Sequence, residues 1–356
     1  MYPMVGRSVT WSSRDDLNDV ISMTSKVWPC LVSAKFFITG GTGFIGSMLL
    51  ESLCLANEKY DLGVEVTVLS RNPENFLSSM PSLKNCPSLR FVTGDVMNFE
   101  SPPGDFTHVI HGATDASASL NEEAPDLMVR TITEGTRRVL NFAAEKAVQK
   151  VLLLSSGAVY GRQPVGMDHV REEWIGSPDC LDPKSAYAEG KRVAEMLCAI
   201  KGTEFGFEIA VARIFALLGP RLNLDIHFAA GNFIRDAISD RPVVVTGDGS
   251  PVRSYLYSSD LTTWLWNILA FGGSMRAYNV GSQAAISLLD LAQLVSNLVG
   301  NGEVVILGEK DRGWNPSRYV PDTTRATSEL GLRETVSLES AIQRCAIAHR
   351  WKGGQL

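Results

Sequence analysis

At 356 residues, 45% hydrophobic and 20% charged, the chain has material for two domains or one large one, with an ample core. Its net charge of −6 argues against wholesale nucleic-acid binding, which needs a basic face, so an anionic ligand has to be held by local arginines against an adverse overall field. The six cysteines (Cys30, Cys54, Cys86, Cys180, Cys198 and Cys345) form no CxxC pair and no metal-ligand spacing. No apolar run approaches the roughly 18 residues of a membrane span, and the chain does not start with the basic-plus-apolar pattern of a secretory leader. A cytoplasmic protein with reduced thiols, no bound metal and no membrane contact is expected.

Ser13 to Trp28 reads as an amphipathic helix, with Leu17, Val20, Ile21 and Val27 on or near one face and Ser13 or Asp15 as its cap. Residues 1–33 are therefore expected to form a helical extension ahead of the first strand. Lys35–Thr39 is a short apolar run of the kind found in buried parallel strands. Gly40, Gly43 and Gly46 follow at three-residue spacing, and Ile45, Leu49 and Leu53 recur at helical spacing after them. Strand, glycine turn and helix together predict a dinucleotide site. Gly40 permits the tight turn, Gly43 lets the backbone approach a pyrophosphate, and Gly46 lets helix and strand pack closely. The helix start at Phe44 and Ile45 offers free N–H groups and a partial positive charge.

Val64–Leu69 reads as a second strand ending at Ser70-Arg71. An acid at this place hydrogen-bonds the adenosine ribose and selects NAD; here a hydroxyl and a cation stand instead, which suits a 2′-phosphate. NADP is therefore the expected cofactor, with NAD possible if Arg71 only stacks on adenine. Leu89–Thr93 is a third strand, leading to Asp95 and Val96, and Thr107–His111 is a fourth, leading into Gly112-Ala113-Thr114, where small residues suit a backbone passing against the cofactor. His111 reads as a packing histidine. Leu127–Lys146 is a long helix, Val151–Ser156 a fifth strand, Ser185–Ile200 a helix and Glu208–Phe215 a sixth strand. Strand–helix alternation then weakens. The expected architecture is α/β: a doubly wound parallel sheet over residues 34–216, and a smaller mixed lobe over 217–356 from which a strand near 276–281 returns to the main sheet.

Tyr187 and Lys191 are four apart on a predicted helix and so share a face. A phenol titrates near 10, and a neighbouring ammonium that stabilises the phenolate brings it toward neutral pH. The TGGTGFIG spacing, followed by Ser156, by Tyr160-Gly161 and by the Tyr187/Lys191 pair, resembles the extended branch of the short-chain dehydrogenase/reductase superfamily, the NAD(P)-dependent nucleotide-sugar epimerase/dehydratase family. The resemblance covers roughly residues 34–345. It implies that Tyr187 is the acid/base, that Ser156 donates to the substrate oxygen, that Lys191 tunes Tyr187 and binds the ribose, and that Asp95 accepts from the adenine amino group. It also implies a homodimer through the helices at 127–146 and 186–200.

Within the family, 4,6-dehydratases carry Asp-Glu directly after the Ser/Thr, and nucleotide-sugar decarboxylases carry Glu two residues after it. This chain has Gly157 and Ala158. The resemblance is thus to enzymes that need only hydride transfer and the Tyr/Ser pair, 4-epimerases and 4-ketoreductases acting at C4 of an NDP-hexose; the two remain open. Dehydration, decarboxylation, and a non-catalytic redox-sensing or RNA-binding role on the same fold are the alternatives, as is a hydroxysteroid-type dehydrogenase. For the substrate, Arg253 in RSYLYSSD and Arg318 in RYVPD resemble the family's diphosphate contacts, and Asn232 and Arg235 match the helix over the nucleotide base. The family's Asn in the run after the sixth strand is replaced by Ala216, a loss that His227 is expected to cover. An Asn usual in the long helix is replaced by Ile132.

Overall fold

The computed structural model describes residues 11–114, 118–225, 229–309 and 316–352. Helix α1 (Ser13–Met23) stops five residues earlier than its apolar pattern suggests, at Thr24; the chain then turns into a short 3-10 segment, Trp28–Leu31, with Pro29 in its first turn, where a ring without an N–H is tolerated. The cap is the box Ser12/Asp15: the Asp15 carboxylate accepts from the Ser12 backbone N–H at 2.8 Å. Strand β1 (Lys35–Thr39) leads into α2 (Phe44–Tyr60), β2 (Glu65–Ser70) and β3 (Leu89–Thr93) follow, and β4 (His108–His111) leads to α3 (Pro125–Glu145). After β5 (Lys150–Ser156) comes α4 (Ala186–Phe205), which runs past the expected Ile200, through Gly202, until Gly206 takes the left-handed cap. Then come β6 (Glu208–Ile214), α5 (Ala229–Ile238), α6 (Ser258–Phe271), β7 (Arg276–Val280), α7 (Leu288–Val299) and α8 (Leu338–Lys352).

The seven strands form one wholly parallel sheet in the order β7-β6-β5-β4-β1-β2-β3. Both of its faces are covered, which is why β1 and β5 read as unbroken apolar runs. On one face, α3 and α4 bury an aromatic cluster in which the Phe37 ring lies 4.4 Å from Phe142 and 5.3 Å from Phe99. On the other face α2 and α6 pack with the N-terminal extension, and Trp28 meets Trp266 at 5.5 Å. Asp16 ties that extension to the rest of the chain. Its carboxylate is buried and accepts from Trp11 Nε1 at 2.9 Å, Tyr257 OH at 2.6 Å and Arg344 Nη1 at 2.7 Å. Beyond β6, a separate apolar core joins α5, α7 and α8, and two- and three-residue strands replace the large sheet. Among these, Val252–Arg253 is flanked by Ile286–Ser287 and Arg318–Tyr319.

Among the described residues no helix is long and apolar enough to cross a membrane, and no group of three or more His, Cys, Asp or Glu is placed to hold a metal ion.

Candidate active site

The strand order reverses between β1 and β4, and open parallel sheets form their ligand crevice at the carboxyl ends of the strands on either side of such a reversal. The glycine turn sits there. Gly40 has φ +75°, and a Cβ on it would lie 2.5 Å from the Gly112 carbonyl carbon at the end of β4; a Cβ on Gly46 would lie 2.2 Å from Gly40 O. A Cβ on Gly43, by contrast, would meet only Gly40 O, at 3.4 Å. The outer side of the turn is therefore open to a ligand just where Phe44 and Ile45 begin α2, an arrangement that fits a pyrophosphate on a helix start.

The other residues expected at the cofactor surround the same crevice. Ser70 is buried at the end of β2 and accepts from the Asn72 N–H at 3.3 Å. Arg71 is exposed and, among the described residues, makes no side-chain hydrogen bond or ion pair. Asp95 follows β3, and its Oδ1 takes the Met97 N–H at 2.9 Å; Val96 packs against Gly135 of α3. The Ala113 N–H donates to Thr39 Oγ1 at 3.2 Å. His111 is a packing group, as expected: it bridges Thr39 and Thr136 at 2.7 and 3.0 Å, and complete burial lowers its pKa to about 3, so it stays neutral.

Ser156, Tyr187 and Lys191 meet at the end of β5. Ser156 Oγ accepts from the Ala158 N–H at 3.1 Å, capping the tight turn Gly157–Tyr160. Tyr187 lies in the first turn of α4, where its backbone N–H is fixed by Asn121 Oδ1 at 2.9 Å. Lys191, one turn later, donates to Thr114 Oγ1 at 3.0 Å and Leu154 O at 2.9 Å, and its Nζ lies 5.9 Å from the centre of the Tyr187 ring. Burial lowers the Lys191 pKa to about 8, with Glu195 acting in the opposite direction. Burial raises the Tyr187 phenol, and Ser156 opposes that rise. Beneath this trio, Glu195 accepts from Ser155 Oγ at 2.6 Å and pairs with Arg213 at 2.7 Å, and Arg213 reaches Tyr160 OH at 2.9 Å.

Two features of the trio's surroundings lay outside the sequence reading. Thr114 is a partner of Lys191. Tyr319, from the short strand beside Arg253, stacks on Phe215 at 4.5 Å, and its hydroxyl donates to Ile214 O at 3.5 Å. No pattern in a single sequence marks either. The turn after Ser156 holds no carboxylate, and its shape opposes one: a Cβ on Gly157 would lie 2.5 Å from the Phe215 ring. Ile132, in the place of the family's Asn, fills the space facing Gly190 on α4.

The residues expected on the substrate side separate into two groups. Arg253 and Arg318 lie on paired strands. Arg253 donates to Val252 O, Ser317 O and Ser317 Oγ at 2.8 to 3.2 Å, and among the described residues no carboxylate neutralises it; burial lowers its pKa. Arg318 reaches Asp168 through the backbone carbonyl at 2.7 Å and the carboxylate at 3.7 Å. Arg235 does not join them, because Asp236, Asp225 and Asn232 already occupy its guanidinium. Asn232 lines a cavity of about 90 Å³ with Phe233, Val245, Thr246, Gly249 and Leu288. His227 lies outside the described residues.

Comparison with known proteins agrees with this architecture. Residues 36–281 match the model of the NAD dependent epimerase/dehydratase family. UDP-glucuronic acid decarboxylase 1 of Xenopus tropicalis is 31% identical over 318 residues, 87% of this chain and 70% of that protein. UDP-glucuronic acid decarboxylase 5 of Arabidopsis thaliana is 29% identical over 88% of each chain. Among solved structures, the UDP-glucuronic acid 4-epimerase of Bacillus cereus with UDP-glucuronic acid and NAD superimposes with a TM-score of 0.75 at 23% identity, covering 89% of this chain and 99% of that one. The dTDP-glucose 4,6-dehydratase of Streptomyces venezuelae superimposes with a TM-score of 0.76 at 23% identity, over 90% and 98%. The chain belongs to the NAD dependent epimerase/dehydratase family and is an enzyme of the extended short-chain dehydrogenase/reductase type.

Proposed function

We propose that this enzyme carries out oxidation and reduction at C4 of a nucleoside-diphosphate hexose, as a 4-epimerase or a 4-ketoreductase. The observation that carries the reading is the Ser156/Tyr187/Lys191 cluster beside a turn that has no carboxylate and is closed by Phe215. When bound, the nicotinamide supplies the hydride donor or acceptor. Tyr187 moves the proton of the C4 hydroxyl, Ser156 donates to the same oxygen, and the Lys191 charge favours the phenolate over the neutral phenol. Gly40, Gly43, Gly46, Asp95 and Ala113 hold the dinucleotide. Ser70 and the unpaired guanidinium of Arg71 favour NADP over NAD.

Arg253, which has no carboxylate partner among the described residues, and Arg318 are the diphosphate contacts in this reading, and the cavity beside Asn232 takes the base. Arg235 acts through the shape of α5 rather than through its charge, since two carboxylates already neutralise it. A homodimer through α3 and α4 is part of the same reading, supported by the exposed Leu127, Val193, Met196 and Ile200 on those helices.

The relatives by sequence favour a second reading, in which C4 oxidation of a UDP-uronic acid is followed by decarboxylation. The absence of Glu at position 158 counts against it. Incubation with UDP-glucose, UDP-galactose and UDP-glucuronic acid, each with NAD⁺ or NADP⁺, followed by NMR and mass spectrometry of the sugar, separates the two. A C4 epimer or 4-keto sugar that keeps all its carbons supports the first reading. Loss of carbon dioxide supports the second, and loss of water would overturn both.

A further inference from the structure

Lys191 and Glu195 stand about one turn apart on α4 and bond two consecutive residues of β5. Lys191 Nζ donates to Leu154 O at 2.9 Å, and the Glu195 carboxylate accepts from Ser155 Oγ at 2.6 Å. The second contact has the length of a charge-assisted O–H···O⁻ bond. Ser156 is the next residue and ends the strand. The end of β5 is thus stitched to the helix that carries Tyr187 immediately before the serine.

The carboxylate is itself fixed from the neighbouring strand. Ser155 and Arg213 are register partners on β5 and β6, so their side chains leave the sheet on one face, the face that α4 covers. Arg213 grips both carboxylate oxygens, with Nε 3.0 Å from Oε1 and Nη2 2.7 Å from Oε2. Such a fork leaves Glu195 little freedom to turn. The polar row continues one strand further. Arg213 Nη1 donates to Tyr160 OH at 2.9 Å, and that hydroxyl donates at 2.7 Å to Oδ1 of Asn279, the register partner of Arg213 on β7. Asn279 is fully buried, and its Nδ2 donates to the carbonyls of Val170 and Asp322 at 2.9 and 3.0 Å. A buried row bonded at every one of these steps is rigid, and its inner end is Ser155.

We propose that Glu195 is a positioning residue for the C4 chemistry: held by Arg213, it takes the Ser155 hydroxyl and so fixes the last residues of β5, Ser156 among them, against the helix that carries Tyr187 and Lys191. The assignment rests on the C4 reading above and deepens it. In that reading Tyr187 and Ser156 act on one oxygen from two different elements, so their mutual placement must be set by whatever ties the elements together. A misplacement of about 1 Å can cost catalysis about 10²-fold. Glu195 touches neither sugar nor cofactor in this scheme; it acts through where it puts Ser156.

The test is a double-mutant cycle on the full chain with the UDP-sugar and cofactor turned over in the panel above. Ser155→Ala removes the hydroxyl and leaves the Glu195–Arg213 pair intact. It is expected to lower kcat about tenfold, the scale of one hydrogen bond to a charged group, with KM and cofactor Kd unchanged. Ser155→Cys fills the same space with a weak donor and is expected to behave like Ser155→Ala. In a Glu195→Ala background neither substitution is expected to change anything further, because the acceptor is gone. Wild-type kcat in Ser155→Ala would overturn the assignment, as would equal proportional losses in both backgrounds. Full recovery in Ser155→Cys would reduce the contact to packing, and a matching loss of cofactor affinity would reduce it to general disruption; either overturns the assignment too. Should Glu195→Ala fail to fold, the two Ser155 variants still decide.

If wild-type protein turns over no member of the panel, the C4 reading fails and the tie is judged separately. The ¹³Cδ resonance of Glu195 in labelled protein, assigned from its backbone, is expected to move on Ser155→Ala. An unmoved resonance would overturn the tie whatever the substrate.

Discussion

Replacing Arg253 by alanine removes a cation that no carboxylate among the described residues compensates. Its guanidinium is pinned by two carbonyls and a serine hydroxyl at 2.8 to 3.2 Å, all neutral, and burial already disfavours its charge. A doubly charged diphosphate would supply the missing counter-charge in a fork geometry that suits guanidinium. A hydrogen bond to a charged group nets about 1.5–3 kcal/mol, so Arg253→Ala is expected to weaken UDP-glucose or UDP about ten- to hundredfold. Arg253→Lys should recover only part of that loss, because an ammonium cannot make the two-pronged contact. Isothermal titration with UDP-glucose, and separately with NAD⁺ and NADPH, measures both sites; cofactor affinity is expected to stay the same, since the glycine turn belongs to the other lobe. Unchanged nucleotide-sugar binding in both variants would refute the clamp and weaken the case for a nucleotide-sugar substrate.

Tyr187→Phe is expected to reduce turnover at least 10²-fold with cofactor affinity intact; retention of more than about a tenth of the rate would remove Tyr187 from the proton step. Arg71→Ala should weaken NADP more than NAD, and equal losses would mean the side chain serves only the adenine. Lys191 is cationic below its pKa of about 8 and neutral above it, and only the cation favours the phenolate. kcat/KM, which reports the free enzyme, is therefore expected to fall as pH rises through about 8; a profile still rising well above that pH would contradict the assigned role. Asp16→Ala leaves Arg344 half-buried without its partner and strips Tyr257 and Trp11 of an acceptor. Breaking a buried pair in this way costs about 3–5 kcal/mol, readable as a lower urea midpoint, and a loss under about 1 kcal/mol would show that the extension is only loosely attached.

Much of the cofactor side was legible in the amino-acid order, because its determinants are local. A buried parallel strand must be apolar on both faces, a turn with φ near +75° needs glycine at position 40, and residues four apart on a helix share a face, which is how Tyr187 and Lys191 find each other. Those constraints act within a few residues and leave a periodic trace. Family spacing extended the same logic to Ser156. The substrate side was less legible, because its contacts join distant segments that carry no period. Arg235 read only as part of the helix over a nucleotide base; folding sets its guanidinium against Asp236 and Asp225. Tyr319 was one letter in a motif until pairing with Val252–Arg253 carried it onto Phe215 and the Ile214 carbonyl. Asp16 sat in an unassigned extension until tertiary packing gave it three partners from two ends of the chain. Gly157 showed only a missing carboxylate; the fold adds that Phe215 occupies the space a side chain there would need. Sequence order thus determined the sheet, the glycine turn and the placing of Tyr187 and Lys191 on one helix face. Which arginines find carboxylate partners, and which rings pack around Phe215, were decided by the long-range closure of the smaller lobe onto the sheet.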